Sequence, residues 1–160
     1  MKELNIQASF IVYEHVNELS EDARNLMNNA ILSRNNAYAP YSKFRVGAAL
    51  LLDNRIIITG NNQENASYPS GLCAERVAIY SAGANYPGSK IEMIAITATS
   101  DNHSVKEPVP SCGACRQAML EYEINQKKPI PIYFMGEEGN IIKTNSVKNI
   151  LPLIFDSSFL

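Results

Sequence analysis

All three cysteines of the 160-residue chain lie in two short segments that could together bind a metal ion. Cys73 is followed two residues later by Glu75, and Cys112 and Cys115 form a Cys-x-x-Cys pair. Three thiolates are a ligand set that zinc accepts, and a site with only three protein ligands keeps a fourth position open for water. Zinc lowers the pKa of such a water to near neutrality, so that hydroxide is available to attack an electrophilic carbon. We therefore predict a zinc-dependent hydrolytic site in which Glu75 transfers protons beside the metal.

Three other roles for these cysteines compete with the catalytic metal site. A single cysteine is more often a small buried apolar residue than a ligand, and a Cys-x-x-Cys pair alone can be a redox couple. Redox chemistry, however, needs neither Cys73 nor Glu75. A structural zinc site is the stronger alternative, and it would need a fourth protein ligand from His15 or His103. His103 lies in a polar loop at 101–106, which favours a solvated side chain.

The elements predicted before Cys73 are one helix and one hairpin. Ser20 is a suitable N-cap for a helix that ends before Pro40. The apolar residues of this helix recur at helical spacing and form one stripe: Ala23, Leu26, Met27, Ala30 and Ile31. Two strands follow at 45–52 and 55–59, and Asp53-Asn54 between them predicts a two-residue hairpin turn.

Helices and strands alternate after this hairpin. Helices are predicted from about Cys73 and from about Gly113, and strands at 91–99 and 130–134. The alternation predicts right-handed crossovers onto a mixed sheet, with ligands bound beyond the carboxyl ends of its parallel strands. Because Pro131 cannot donate a ladder hydrogen bond, the strand at 130–134 should begin late or lie at an edge.

This arrangement places the cysteines at the starts of helices. Cys73 begins one helix, and Cys112 and Cys115 lie on one face at the start of the next. The positive N-terminal ends of both helices would face the metal and favour thiolate over thiol. Three thiolates on one Zn²⁺ leave a net negative charge that opposes ionisation of the bound water, and the helix ends offset part of that charge.

Four sequence blocks follow one another along the chain. They are Phe44-x-Val-Gly-Ala-Ala-Leu50, Asn62-x-Glu-Asn-Ala-Ser-Tyr68, Cys73-Ala-Glu-Arg76 and Cys112-Gly-Ala-Cys-Arg-Gln117. Together they resemble the small homotetrameric cytidine deaminases of the cytidine and deoxycytidylate deaminase superfamily. The resemblance covers about residues 30–125 in the family order, and the tail at 151–155 also fits.

The resemblance departs from the family pattern at one position beside the predicted metal ligands. A proline usually precedes the first cysteine of the Cys-x-x-Cys pair in this family. Here Ser111 stands in that place, and Pro110 lies one position earlier. The ligands themselves are unaffected, but the departure concerns the loop that enters the metal site.

The resemblance implies both a fold and a reaction. The fold is α/β, a three-layer α/β/α sandwich around a mixed β-sheet, in a single domain over residues 1–160 with residues 1–16 as an N-terminal extension. The reaction is hydrolysis of cytidine and deoxycytidine to uridine and deoxyuridine, with release of ammonia, by attack of zinc-bound hydroxide at C4 of the base. Glu75 would take a proton from the water, deliver it to N3 and then protonate the departing amine. Deamination of a nucleoside-like antibiotic is the closest alternative.

The resemblance also implies roles for residues around the metal. Arg76 matches an arginine that hydrogen-bonds cysteine sulfurs, and the backbone carbonyl of Ala74 would help to orient the base. Asn62 and Glu64 match a pair that hydrogen-bonds the ribose hydroxyls, and Phe44 matches a residue that packs on the pyrimidine ring. A carboxylate that faces the sugar would repel a 5′-phosphate, so nucleosides should be preferred to nucleotides.

The C-terminal residues are unusually apolar for the end of a small domain: Leu151, Leu153, Ile154, Phe155, Phe159 and Leu160. Such a patch predicts either burial within the chain or an interface. In the cytidine deaminases that the chain resembles, the residue that matches Phe155 reaches the nucleoside bound by an adjacent subunit. We therefore expect a homotetramer whose active sites are shared between subunits.

Composition and charge weigh against other classes of protein. The net charge is -2 and the basic residues are scattered, so no basic stripe is available for nucleic acid. Deaminases of nucleic acids also usually begin their metal motif with His-x-Glu. The longest aliphatic run, near residues 48–52, is too short to span a membrane, and residues 1–7 have no apolar targeting segment. With an odd cysteine count, we expect a reduced, cytoplasmic enzyme of pyrimidine salvage.

Overall fold

A computed structural model describes residues 1–160, and a six-stranded β-sheet forms its centre. The strands are β1 (Ile11–Tyr13), β2 (Phe44–Leu52), β3 (Ile57–Asn61), β4 (Ile91–Ser100), β5 (Ile132–Met135) and β6 (Ile141–Thr144). Their spatial order is β1-β6-β5-β4-β2-β3. Strands β4 and β5 are parallel, and every other neighbouring pair is antiparallel. The predicted mixed sheet is therefore confirmed.

Three helices cover the two faces of this sheet. They are α1 (Glu21–Arg34), α2 (Ala74–Asn85) and α3 (Gly113–Asn125). Consecutive side chains of β2 point to opposite faces. Accordingly, Leu50 packs in one core cluster with α2 and α3, and Leu51 packs in a second cluster with α1. The result is the expected three-layer α/β/α sandwich. No helix is both long enough and apolar enough to cross a membrane.

Helix α1 begins where its sequence predicts. The Oγ of Ser20 accepts a hydrogen bond from the backbone N–H of Ala23 at 3.4 Å, which caps the helix. The apolar stripe faces the sheet, and Leu26 and Met27 are fully buried. The helix ends at Arg34, six residues before Pro40.

The turn between β2 and β3 differs from its prediction. A two-residue turn at Asp53-Asn54 is wrong, because Arg55 also belongs to the loop and adopts a left-handed conformation with φ of 69°. The N–H of Arg55 donates to the Leu52 carbonyl, and the N–H of Leu52 donates to the Ile56 carbonyl, both at 2.9 Å. A three-residue loop with a left-handed last residue gives this pattern. As a consequence, β3 begins at Ile57 rather than at Arg55.

Strand β5 follows the predicted effect of its proline. It begins at Ile132, directly after Pro131, and the Pro131 carbonyl still accepts a hydrogen bond from Ile94 at 2.9 Å. The strand lies inside the sheet, however, because β6 pairs with its other edge. Neither β6 nor β1 was among the predicted elements. Strand β1 lies within the predicted N-terminal extension and pairs with β6 through Tyr13 and Ile141.

Gly60 in β3 fixes the distance between the sheet and the start of α2. A Cβ atom at this position would lie 2.5 Å from the Ala74 carbonyl oxygen and 2.5 Å from the Ala78 nitrogen. Atoms at that separation overlap, so only glycine allows the first turn of α2 to pack this closely on the strand. Because Cys73 and Glu75 flank Ala74, this contact determines how close Cys73 and Glu75 lie to the sheet.

Candidate active site

The fold brings the three cysteines together at the starts of two helices. Cys73 is the N-cap of α2, Cys112 is the N-cap of α3, and Cys115 lies in the first turn of α3. The Sγ atoms of Cys73 and Cys112 are 3.9 Å apart, and those of Cys112 and Cys115 are 3.5 Å apart. All three sulfur atoms lie within 4.8 Å of one another. Residues that are 39 positions apart in sequence therefore form one cluster.

The geometry of this cluster fits a zinc ion. Tetrahedral zinc with Zn–S bonds of about 2.3 Å requires sulfur atoms about 3.8 Å apart. The separations of the Cys112 sulfur from those of Cys73 and Cys115, 3.9 and 3.5 Å, lie close to that value. Neither histidine of the chain belongs to the cluster, and both are exposed. The donor set therefore has three protein ligands and lacks the fourth that a structural zinc site would have.

The thiols differ in how easily they lose a proton. Contact with the Cys115 thiol, together with a hydrogen bond from Arg76, lowers the pKa of Cys73 to about 6. The same contact with Cys73, reinforced by burial, raises the pKa of Cys115. Cys73 therefore ionises before Cys115, and Cys115 is held as a thiol until a cation offsets its charge.

Arg76 directs its positive charge at this cluster. Its Nη2 donates to the Cys73 sulfur at 3.7 Å, and this contact is the main reason that the pKa of Arg76 is raised. The Nε of Arg76 is buried and has no hydrogen-bond partner. A guanidinium in this position offsets part of the negative charge that three thiolates bring to one metal ion.

Glu75 is a buried carboxylate next to the thiols. It lies in the first turn of α2, and only 4% of the residue is exposed. The four salt bridges of the chain all involve other residues. The negative charge of Glu75 raises the pKa of Cys115, after the larger effects of the Cys73 contact and burial, so the carboxylate lies close to the sulfur cluster. Its position and lack of an ion-pair partner suit a group that exchanges protons.

An open cleft of about 440 Å³ leads to this cluster. Cys73 and Arg76 belong to its lining, and so do Asn62 and Glu64. The other lining residues are Tyr41, Ser42, Gln63, Asn65, Tyr68, Gly71 and Leu72. The structure thus places Cys73 and the predicted sugar-binding residues around one cleft. Phe44 lies beside it, at the start of β2.

Glu64 is held in place by the loop that precedes β2. Its Oε2 accepts hydrogen bonds from the backbone N–H groups of Tyr41 at 3.0 Å and Ser42 at 3.3 Å, and its Oε1 accepts one from the Ser42 hydroxyl. Desolvation raises the pKa of Glu64, but these hydrogen bonds outweigh it, and the net effect is a lowered pKa. Glu64 is therefore a fixed, ionised carboxylate that can still accept a hydrogen bond through Oε1.

Asn62 uses its side chain to shape the cleft wall. Its Oδ1 accepts from the Val46 N–H at 2.7 Å, and its Nδ2 donates to the Phe44 carbonyl at 2.9 Å. The amide is thus already bonded to β2, and one N–H and one lone pair remain for a ligand. The hydrogen bond to the Phe44 carbonyl also fixes the backbone at Phe44. It therefore links Asn62 and Phe44, two residues that the sequence analysis assigns to substrate binding.

Phe155 is not among the residues that line the cleft. It is 57% exposed and stacks on Phe159, with the ring centroids 5.8 Å apart. The apolar C-terminal residues pack only in part on their own chain. Leu151 and Ile154 contact its core, whereas Leu153 is 80% exposed. The structure therefore places Phe155 on the surface and outside the lining of the cleft of the same chain.

Sequence reasoning missed two groups of residues that complete the site. Tyr41, Ser42 and Tyr68 line the cleft, and for the first two the available clue was the turn signal Pro40-Tyr41-Ser42, which ends two residues before Phe44. The second group is Arg116, whose Nε donates to the Ser111 carbonyl at 2.7 Å. Its position beside Cys115 in the motif was visible, but its partner was not.

Comparison with known proteins agrees with this geometry. Residues 20–128 match the family model described as the cytidine and deoxycytidylate deaminase zinc-binding region. A cytidine deaminase from Halalkalibacterium halodurans is 41% identical over 134 residues, which cover 84% of this chain and 94% of that protein. One from Sporosarcina psychrophila is 36% identical and covers 87% of this chain and 95% of that protein.

Solved structures give the same result. The crystal structure of cytidine deaminase from Burkholderia pseudomallei superimposes with a TM-score of 0.73 at 36% identity, covering 86% of this chain and all of that one. The structure of cytidine deaminase from Mycobacterium tuberculosis gives a TM-score of 0.66 at 31% identity, covering 86% of this chain and 99% of that one. With the family model matching most of its length, this chain belongs to the cytidine and deoxycytidylate deaminase family.

Proposed function

We propose that this protein is a zinc-dependent cytidine deaminase, which hydrolyses cytidine and deoxycytidine to uridine and deoxyuridine and releases ammonia. The observation that carries the proposal is the cluster of three thiols beside the buried carboxylate of Glu75, at the end of a cleft large enough for a ligand. Relatives from two bacteria that match most of the chain are cytidine deaminases, which favours this substrate over a nucleoside-like antibiotic.

Cys73, Cys112 and Cys115 would hold the zinc ion. The separations of their sulfur atoms support this assignment, as does the absence of a fourth protein ligand from the cluster. When bound, zinc supplies a Lewis acid that makes water ionisable near neutral pH. Arg76 holds a positive charge against the Cys73 sulfur and so limits the negative charge of the centre.

Glu75 would move the protons of the reaction. A water molecule adds its oxygen to C4 of the cytosine ring, and Glu75 takes the proton that this oxygen loses. The carboxyl group delivers that proton to N3, where it stays in the product. Glu75 then takes the remaining proton of the added hydroxyl and passes it to the amine, so that the C4 carbonyl forms as the C4–N bond breaks and neutral ammonia leaves. Burial of Glu75 excludes bulk water from these transfers.

Residues of the cleft would bind and orient the nucleoside. Glu64 would accept a hydrogen bond from a ribose hydroxyl, and the remaining N–H of Asn62 would donate a second one. Phe44 would pack on the base, and the Ala74 carbonyl would accept from its amine. The ionised Glu64 would repel a 5′-phosphate, because like charges would then share one cleft.

Assembly is the part of the proposal that extends beyond one chain. We propose a single domain over residues 1–160 that forms a homotetramer, with Phe155 reaching the cleft of a neighbouring subunit. Exposure of Phe155, Phe159, Leu153 and Leu160 supports an interface, because so many large apolar side chains at one chain end are unusual on a monomer.

A substrate panel tests the proposed function. Ultraviolet absorbance should fall as the zinc-loaded protein converts cytidine or deoxycytidine, and ammonia should appear in equal amount. Free cytosine and cytidine 5′-monophosphate should be poor substrates, and adenosine should not react. Equal efficiency with cytosine and cytidine would contradict the role of Asn62 and Glu64, and no reaction with either nucleoside would contradict the substrate.

A further inference from the structure

Arg116 connects the metal-ligand loop to the C-terminal part of the chain. Its Nε donates to the Ser111 carbonyl at 2.7 Å, and its Nη1 donates to the Ile150 carbonyl, also at 2.7 Å. Ser111 directly precedes Cys112 in the chain. One guanidinium therefore contacts two segments whose contact residues are 39 positions apart, the same distance that separates Cys73 from Cys112.

Both acceptors are backbone groups that regular structure leaves free. Ile150 ends the short 3₁₀ helix Val147–Ile150, and the last carbonyls of a helix have no partner within it. Ser111 lies just before the N-cap of α3, outside the helix. Arg116 takes part in none of the salt bridges of the chain, so its charge is directed at these carbonyls rather than at a carboxylate. The planar fork of arginine suits two acceptors at once.

Other residues of α3 hold the same C-terminal part of the chain. The buried carboxylate of Glu123 accepts from the Val147 N–H at 2.8 Å and from the Ser146 hydroxyl at 2.6 Å. Gln117 donates to the Phe155 carbonyl at 3.0 Å. Among these contacts, only that of Arg116 also reaches the segment that carries a predicted metal ligand.

We propose that Arg116 is a positioning residue that couples the order of residues 147–155 to the backbone of Cys112. Holding Ser111 and Ile150 together means that loosening either segment loosens the other. The inference rests on the proposed function only in taking Cys112 as a metal ligand. It predicts that metal binding at the cysteines protects residues 147–155, and that these residues in turn strengthen metal binding, because coupling between two sites is reciprocal.

Hydrogen exchange with and without zinc tests this coupling. Amides of residues 147–155 in the wild-type protein should exchange more slowly after addition of zinc alone. In Arg116→Gln that zinc-linked protection should be lost, and competition with a chelator should show zinc affinity lowered about 10- to 100-fold, as for other residues that orient metal ligands. In cobalt-loaded protein, the thiolate charge-transfer bands should shift in the same variant.

Three further variants separate coupling from charge and from general destabilisation. Arg116→Lys keeps the charge but not the fork, so it should not restore the zinc-linked protection. Gln117→Ala removes a contact at the far end of residues 147–155 and none at Ser111, so it should lower zinc affinity much less than Arg116→Gln does. Ser111→Ala should match the wild type in both measurements, because the Ser111 hydroxyl is buried without a partner and its carbonyl contact remains.

The outcomes of these measurements are distinct. If Arg116→Gln exchanges faster at 147–155 but binds zinc as the wild type does, Arg116 only anchors the tail and the proposal is overturned. Full rescue by Arg116→Lys would likewise overturn it in favour of a simple charge effect. If Arg116→Gln does not fold, zinc affinity and zinc-linked protection of residues 147–155 are compared between Arg116→Lys and the wild type instead. Zinc-linked protection without turnover of cytidine would support the coupling while contradicting the proposed substrate.

Discussion

At the scale of the residue, the proposed hydrolysis depends on three thiols that can hold a metal ion and on one carboxylate that can exchange protons. Three thiols and one carboxylate at the spacing of Cys73, Glu75, Cys112 and Cys115 already pointed to a metal site, and the structure brings the three sulfur atoms within 4.8 Å. Hydrogen bonds from side chains to backbone carbonyls could not be predicted from the sequence. The contact of Arg116 with the Ser111 carbonyl, for example, depends on how the loop before α3 folds, which no side-chain pattern records.

Asn62 shows why a predicted binding residue can also have a structural use. The sequence places it in a polar extended segment, which suits ligand recognition. In the structure, its amide bonds the backbone of β2 at Val46 and Phe44. A substitution here would therefore change the cleft wall as well as any sugar contact, so Glu64 is the cleaner position for testing nucleoside binding.

Glu64 should make the stability of the protein sensitive to acid. Its folded pKa lies below the ordinary value of about 4.3, so its stabilising contribution is present above that pH and is lost as the pH falls through the folded pKa. Glu64→Gln should therefore be less stable than the wild type at pH 6, and the difference should shrink as the pH falls below about 4. Urea unfolding across this pH range measures the difference.

Ser42→Ala provides the matched variant for this prediction. It removes the hydroxyl that hydrogen-bonds Glu64 but keeps the carboxylate, so its acid dependence should lie between those of the wild type and Glu64→Gln. A difference between the wild type and Glu64→Gln that stays constant from pH 6 to pH 3 would show that Glu64 is not held as the structure describes.

At the scale of elements, helices were easier to predict than short strands. Helix α1 has a cap, a stripe and an end signal in its sequence, and all three agree with the structure. Strand β6 has four residues and β1 has three, which is too short for alternation to be distinguished from chance. The turn before β3 was mispredicted because Asp53-Asn54 resembles a complete turn, whereas Arg55 supplies the left-handed residue.

Gly60→Ala should displace the start of α2. The added methyl group would overlap the Ala74 carbonyl, so α2 must move away from β3. Overpacking of this kind costs about 1–3 kcal/mol of unfolding free energy, and zinc affinity should fall with it because Cys73 begins the same helix. Chemical denaturation and chelator competition measure the two effects.

Gly113→Ala is the control for this prediction. A Cβ atom at Gly113 would meet no atom within 4 Å, and the position lies in the first turn of α3. Alanine should therefore be tolerated there with little change in unfolding free energy. If Gly60→Ala were equally well tolerated, the close approach of β3 and α2 would not determine the depth of the site.

At the scale of the whole molecule, two features of the sandwich lie at the surface: the cleft and the apolar end of the chain. The cleft at Glu64 and Cys73 opens to the surface, and the apolar end of the chain around Phe155 is exposed and does not line that cleft. An oligomer with closed symmetry would let each tail complete the cleft of a neighbour.

Light scattering tests the assembly directly. The wild-type protein should have about four times the mass of one chain, because the proposed interface repeats around a closed tetramer. Phe155→Ala should raise the KM for cytidine while the protein keeps close to the tetramer mass. The reason is that the aromatic ring is proposed to reach the nucleoside of a neighbouring subunit. Leu153→Ala, which removes an exposed side chain that has no proposed substrate contact, is the matched comparison. A fully active monomer would contradict the shared site.

The most direct measurement compares cytidine turnover by the wild type and Glu75→Gln at equal zinc content. We expect both proteins to fold and to retain one zinc ion per chain, because the proposed ligands are the three cysteine sulfurs and Glu75 is not one of them. Turnover by Glu75→Gln should fall by at least about 10²- to 10⁴-fold, since an amide cannot take and return protons. Turnover near the wild-type rate in a zinc-loaded Glu75→Gln protein would contradict the central claim.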